Sequence, residues 1–204
     1  SVVNALSEWL RAEVRRHGKL WRQEYRAGVP LGPVVAVAEA QGTGTSVTFL
    51  PDVTIFKDGL NYNFRVLAQR FREMAYLTKG LWFHFVDERN DNEVNFYFEG
   101  GIVSYVRHLN KERTVLHRQP FYTERTSDNV AVEIALQYTD AYDSDSIYTF
   151  ANNINNVDGG AHLTGFRTAL TRVINTYARS KGILKENEAN LTGDDVREGL
   201  TGVI

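Results

Sequence analysis

The chain has 204 residues, 43% hydrophobic and 24% charged, ordinary globular values at a length that supports a core without staples. It contains no cysteine, which excludes disulfides, thiolate zinc sites and cysteine nucleophiles. Its 23 Lys+Arg against 25 Asp+Glu leave a net charge of −2, which excludes a blanket basic coat of the histone type but not a local basic track. No apolar run approaches the roughly 18 residues of a membrane span, and no secretory signal pattern opens the chain. The expectation is a soluble, cytoplasmic-type globular protein with no membrane partner.

In chain order, Val2, Val3, Ala5 and Leu6 have the spacing of a buried helix already under way. The apolar stretch Leu200–Ile204 closes the chain with no polar tail, so both ends are expected to be boundaries of a fragment. Trp9–His17 and Leu20–Tyr25 read as two strands about a tight His17-Gly18-Lys19 turn. Val34–Ala38 and Ser46–Leu50 read as two more, separated by Gly42-Thr43-Gly44-Thr45 and stopped by Pro51-Asp52. Four strands in a row imply an antiparallel sheet.

Phe64, Leu67, Ala68, Phe71, Met74 and Ala75 share one helical face, with Asn63 as N-cap and Lys79-Gly80 as the stop. Strands follow at Leu81–Val86 and Val94–Phe98, and Glu99-Gly100-Gly101 marks a boundary. Ile102, Tyr105, Val106 and Leu109 form a short amphipathic helix. Further strands lie near Pro120–Thr126, Val130–Tyr138 and Ser146–Ala151. The longest helix is expected from Ala161 to about Ile183, with an apolar stripe of Leu163, Phe166, Leu170, Val173 and Tyr177; Thr168, Arg172, Asn175 and Arg179 lie nearly opposite. Thr192 with Asp195 three residues on resembles a capping box and opens a last turn through Leu200. The class is α+β in two lobes.

Few residues suggest chemistry. The five histidines, His17, His84, His108, His117 and His162, are scattered and none pairs at a metal-ligand spacing. Asp194-Asp195 could hold Mg²⁺, although helix-start electrostatics explains the pair without a metal. Gly42-Thr-Gly-Thr45 can bring backbone and a hydroxyl close to a ligand; its bland reading is a hairpin turn. Asp158-Gly159-Gly160 at a helix start could bind an anion, with a cap by Asp158 the favoured alternative. Arg172 and Arg179 share a helix face with Arg167 on its flank, a spacing that suits phosphate contact or a solvated charged face.

These segments, taken together, resemble the DNA gyrase B-subunit family over all 204 residues. The strings that carry the likeness are Ser1–Ser7, Gly42–Thr45 with Phe49-Leu50-Pro51, Leu67–Leu77, Gly100-Gly101-Ile102, Val132–Tyr138, Phe150–Phe166 and Leu191–Leu200, in this order. The B subunit of topoisomerase IV shares most of them and is the close alternative; a non-catalytic binding or scaffold module of the same fold is the rival from another class.

The resemblance implies that residues 1–100 are the C-terminal half of a GHKL-type ATPase α/β sandwich. Residues 101–204 would be most of a transducer domain with a ribosomal-protein-like βαβ sheet-and-helix fold. It implies an ATP-hydrolysing type II DNA topoisomerase that uses ATP and Mg²⁺, dimerises on binding ATP, joins two A subunits in an A2B2 heterotetramer and acts on double-stranded DNA. The catalytic Glu, the Mg²⁺ ligand, the adenine-binding Asp and the phosphate loop would lie upstream, so no catalytic or metal residue is expected here and the isolated chain is expected to be inactive. Residue by residue, Thr45 matches a threonine that helps bind adenine, and Ser1 matches the residue after the phosphate loop. Arg16 matches an arginine gripped by coumarin inhibitors. Arg167 matches an arginine lining the cavity for the transported duplex, with Arg172 and Arg179 as weaker candidates. Asn152 and Asn153 match an Asn pair for which loop capping is the favoured role.

Overall fold

A computed structural model describes residues 2–142 and 146–204. The chain divides into two compact units, Ser1–Asn63 and Phe64–Ile204, and the boundary expected near residue 100 falls inside the second.

In the first unit, β1 (Ser7–Arg16) and β2 (Lys19–Arg26) form a hairpin registered from Arg16↔Lys19 to Trp9↔Arg26. The turn residues His17 and Gly18 both take positive φ, 54° and 75°. That is the type I′ turn, whose twist suits paired strands, and glycine occupies one of its positions without steric cost. Short β3 (Val29–Pro30) and β4 (Val35–Glu39) both pair with β2, and β5 (Gly44–Pro51) pairs with the free side of β1; every pairing is antiparallel. Since β2 and β1 lie between β4 and β5, the Gly42–Thr45 segment is not the hairpin turn of its bland reading. It carries the chain from one edge of the sheet to the other.

Pairing sorts the side chains by face. Leu10, Ala12 and Val14 share a face with Phe49, Val47 and Thr45, and with Tyr25, Gln23 and Trp21. The opposite face is polar and carries the cross-strand ion pairs Arg11–Glu24 at 2.8 Å and Arg22–Glu13 at 2.7 Å. The chain start is helical, as α1 (Val2–Ala5), but it is not buried: Val2 is 73% exposed, because four residues make one turn and leave no face to pack.

In the second unit, α2 (Phe64–Leu77) lays an aromatic face on the hairpin of β6 (Phe83–Asp87) and β7 (Asn92–Phe96). Phe64 stacks on Phe85 with centroids 4.8 Å apart, and Phe71 meets both Phe83 and Phe85. The end of α2 turns a second face to α3 (Gly101–Leu109): Tyr76 stacks on Phe98 at 3.8 Å and on Tyr105 at 4.8 Å. Burial raises the Tyr76 hydroxyl above its ordinary value and pushes that of Tyr105 well above the usual tyrosine range. Met74, expected in the core, is exposed, and Tyr76 is buried in its stead.

A four-stranded sheet runs β10 (Ser146–Tyr148), β13 (Leu200–Val203), β9 (Val130–Tyr138), β8 (Phe121–Ser127). Its inner strand β13 is fully buried and antiparallel to β9, while β10 joins it in parallel. The core packs Ile102, Tyr105 and Val106 of α3 against Ala135 and Val203. A buried polar chain ties the layers: Thr201 Oγ1 donates to Asn110 Oδ1 at 2.7 Å, Asn110 Nδ2 to Gln137 Oε1 at 3.1 Å, and Gln137 Nε2 to the His117 carbonyl at 2.8 Å.

The strand expected over Ser146–Ala151 is broken at buried Thr149. Beyond it, β11 (Phe150–Ala151) pairs with β12 (Ile154–Asn155) about Asn152 and Asn153, whose φ values of 51° and 65° make them the turn itself.

Helix α4 (Ala161–Ser180) is present, but its packed face differs from the expected stripe. Val173 and Tyr177 are more than half exposed, whereas Asn175 and Ala178 are buried. The reason is hydrogen bonding: Asn175 Oδ1 accepts from the Leu191 N–H at 2.8 Å and its Nδ2 donates to the Leu191 carbonyl at 3.0 Å. The polar side of the helix therefore carries the loop after it. The α4 cap position falls on Gly160 and no side chain caps it, which overturns the cap by Asp158. No helix among the described residues is long and apolar enough to cross a membrane.

Candidate functional site

Two places in the chain gather the residues of interest, one in each unit. In the first, Thr45 opposes Val14 across β1 and β5. Arg16, two residues beyond Val14, shares that face, so strand register brings two side chains 29 positions apart to one end of the apolar face. Both are exposed. The Arg16 carbonyl accepts from Trp21 Nε1 at 3.2 Å, which fixes the strand end while leaving the guanidinium outside that bond. The Arg15 guanidinium lies over Gly44 on the other face, where a Cβ would come within 2.8 Å of Nη2 and the flexible side chain would have to shift. A hollow of about 370 Å³ lies between α1, the end of β5 and the segment 56–62, walled by Val2, Leu6, Phe49, Phe56 and Leu60. Ser1 lies outside the described residues.

In the second unit, α4 and the chain after it enclose an open groove of about 840 Å³. Arg167, Arg172, Arg179 and Arg197 all line it. The groove is built from capping and backbone bonds. Thr192 caps α5 (Gly193–Arg197), with its N–H and hydroxyl donating to Asp195 Oδ2 at 2.7 Å and its oxygen accepting from the Asp195 N–H at 3.2 Å. The Thr192 contacts hold the Asp195 carboxyl below the usual carboxylate range. Asp194 Oδ1 accepts from Arg197 Nη2 at 2.7 Å. The aspartate pair thus serves the cap and an ion pair, and no group of three or more His, Asp or Glu side chains among the described residues could hold a metal.

The arginines of the groove differ in what they touch. The Arg179 Nε and Nη2 donate to Asn190 Oδ1 at 3.0 and 2.8 Å, Nη1 to the Lys185 carbonyl at 2.6 Å, and Nη2 also to the Glu188 carbonyl at 2.7 Å. Four bonds from one guanidinium clamp the loop 181–192 to the helix. The Arg172 side chain is exposed and makes no hydrogen bond or ion pair among the described residues. Arg167 is half-buried on the flank.

The histidines are dispersed. His84 pairs with Glu93 at 2.8 Å on the β6–β7 hairpin, and His117 accepts the Tyr138 N–H at 2.9 Å. His108 is held below its ordinary pKa by burial and by Arg72 and Lys111. His162 buries Nε2 without a hydrogen-bond partner.

A family model described as DNA gyrase B matches residues 101–204. The chain belongs to the DNA gyrase B family. It is 48% identical over 205 residues to the DNA gyrase B protein of Clostridium acetobutylicum, covering 100% of this chain and 32% of that protein. The gyrase B protein of Halalkalibacterium halodurans is similar to the same extent, at 48% over 205 residues with the same shares. This gyrase B family chain thus spans about a third of the length of the curated relatives it matches.

Among solved structures it is similar to the 43K ATPase domain of Thermus thermophilus gyrase B, determined with an aminocoumarin, at a TM-score of 0.88 and 41% identity. That likeness covers 99% of this chain and 55% of the other. A topoisomerase IV ATP-binding domain from Francisella tularensis, determined with a small-molecule inhibitor, matches at a TM-score of 0.81 and 23% identity, over 99% of this chain and 54% of the other. At that identity the likeness shows the fold alone, and gyrase B is favoured over its topoisomerase IV counterpart.

One groove residue of this gyrase B family chain was not singled out from the sequence. Arg197 reaches the groove because α5 is a single short turn that begins at Gly193, and a Cβ on Gly193 would come within 2.6 Å of Arg197 Nη1.

Proposed function

We propose that this chain belongs to the ATP-hydrolysing subunit of a DNA gyrase and joins nucleotide binding to DNA passage. In this reading residues 1–100 are the second half of a GHKL ATPase domain, and residues 101–204 are most of a transducer with a ribosomal-protein-like sheet. Dimer closure on nucleotide binding traps one duplex, which passes through a break held by the partner A subunits of an A2B2 assembly in the cytoplasm. Bound ATP, with Mg²⁺, supplies the phosphoryl group whose hydrolysis resets the closed state.

The chain's own contribution on the nucleotide side is modest. The Thr45 hydroxyl can donate and accept at once, which suits a bridge to an adenine through water. Ser1 would stand at the phosphate end. Arg16, at the exposed end of the same sheet face, suits a contact at the pocket mouth of the kind coumarins make. The described residues offer no Mg²⁺ cluster, so no metal step is assigned to them. The isolated chain is proposed not to turn over ATP.

The observation that carries the reading is the arginine-lined groove, which lies within the segment matched by the gyrase B family model. Residues 101–204 hold 11 Lys+Arg against 13 Asp+Glu, so bulk charge cannot attract a duplex and any contact must be local. Arg167 and Arg172 are assigned to duplex phosphates, without sequence preference, because a transported duplex must be released. Arg179 lines the same cavity but serves as the clamp of its wall. Arg172→Gln should weaken binding of a short duplex and reduce the dependence of log affinity on log salt by about one counterion. An unchanged affinity and an unchanged slope would remove the groove from the DNA path.

A further inference from the structure

Asp194 and Arg197 form an ion pair of unequal exposure, and Arg197 is one of the residues that line the groove. The Arg197 side chain is 17% exposed and fixed in place, lying over the bare Cα of Gly193 on a helix whose start is pinned by the Thr192–Asp195 capping box. The Asp194 side chain is 96% exposed. A carboxylate and a phosphate present similar oxygens to a guanidinium, and arginine binds either one through the same fork. The arginine side chain is thus largely buried, while the Asp194 carboxylate that pairs with it stands in solvent.

Resting on the DNA reading of the groove, we propose that Arg197 is a further phosphate contact and that Asp194 is a built-in competitor for it. With the groove empty, Asp194 occupies the guanidinium. When a duplex enters, a backbone phosphate displaces the carboxylate, which swings into solvent. An ion pair with so exposed a partner is worth at most about 1 kcal/mol, so a phosphate can displace it. On departure, the carboxylate recaptures the arginine and helps the duplex leave. No proton or bond changes hands; the exchange is of one anion for another. The arrangement makes the groove weaker than its arginines alone would make it, which suits a channel that must let its cargo go.

The test uses the full 204-residue chain and a short fluorescent duplex, with affinity read by anisotropy over a series of salt concentrations. Asp194→Asn should tighten binding about two- to fivefold, the value of an exposed ion pair. Arg197→Gln should weaken binding, and Arg197→Lys should fall between it and the parent. In the Arg197→Gln background Asp194→Asn should no longer tighten binding. Glu186→Gln removes a carboxylate from the loop beside the groove and should leave duplex affinity where it was. Thermal melting of each variant checks that the fold is kept.

If Asp194→Asn acts no differently from Glu186→Gln, or still tightens binding without Arg197, the competition is overturned. Should Arg172→Gln weaken binding in that same experiment, the DNA reading survives. If no variant, Arg172→Gln included, changes binding, the DNA reading itself has failed and this inference falls with it.

Discussion

Thr45 and Arg16 stand on one face because antiparallel register, rather than distance along the chain, sets side-chain direction. The sequence supplies the strands, the turn at His17-Gly18 and the exposed ends, but the face-sharing depends on which strand lies beside which. Reading Gly42–Thr45 as a hairpin turn would have put β5 beside β4 rather than β1, and Thr45 opposite different neighbours. In the longer protein that carries this chain, Thr45→Val keeps the shape of the side chain and removes the hydroxyl. It should weaken binding of a non-hydrolysable ATP analogue by about 0.5–1.5 kcal/mol, the net worth of one hydrogen bond. Equal affinity for parent and variant would return Thr45 to the role of an ordinary strand residue. Arg197 shows the opposite limit of legibility. Its charge is plain in the sequence, but its direction comes from the packing of its guanidinium over Gly193, which no periodicity reveals.

At the scale of elements, local chemistry was the easier part to read. The Thr192–Asp195 capping box needs only two side chains three positions apart, and it is formed with both reciprocal bonds. The apolar face of α2 was also legible except at Met74, because Phe64, Ala68, Phe71 and Ala75 pack with the aromatic residues of an adjacent hairpin. The face of α4 was not, since Asn175 and Arg179 hold the loop 181–192 by hydrogen bonds that a hydrophobic pattern does not count. The capping box also implies a pH dependence.

The Asp195 carboxyl is held below its unfolded value, near 3.9, by bonds from Thr192. Its contribution to α5 is therefore fully present above that value and fades as pH falls through the lower folded pKa. Thr192→Ala should destabilise the helix start by about 1 kcal/mol and return the Asp195 titration, followed by NMR, toward the ordinary range. An Asp195 carboxyl that titrates in the ordinary range in the parent chain would mean that the box is open in solution.

At the scale of the whole molecule, the two compact units meet the resemblance at different places. Compactness divides the chain after Asn63, while the gyrase B family model begins at residue 101. Helix α2 and the β6–β7 hairpin fall between those two limits. Their aromatic residues are shared with α3 through Tyr76, so they fold with α3 and its sheet whatever their descent. The mixed class and most strands were legible because short amphipathic runs and turn residues are local signals. The order of strands in each sheet was not, because it is decided by long-range pairing such as β13 between β9 and β10.

In the proposed function, this chain couples nucleotide use to a duplex held in the groove beside α4. The most direct measurement is ATP hydrolysis by the longer protein, with and without duplex DNA over a range of salt, for the parent and for Arg167→Gln. The expected result is that the DNA-stimulated rate of the variant falls toward the rate measured without DNA, and that the salt dependence of stimulation flattens by about one counterion. Full stimulation with an unaltered salt slope would rule out that coupling and leave Arg167 a charge on the flank of a helix.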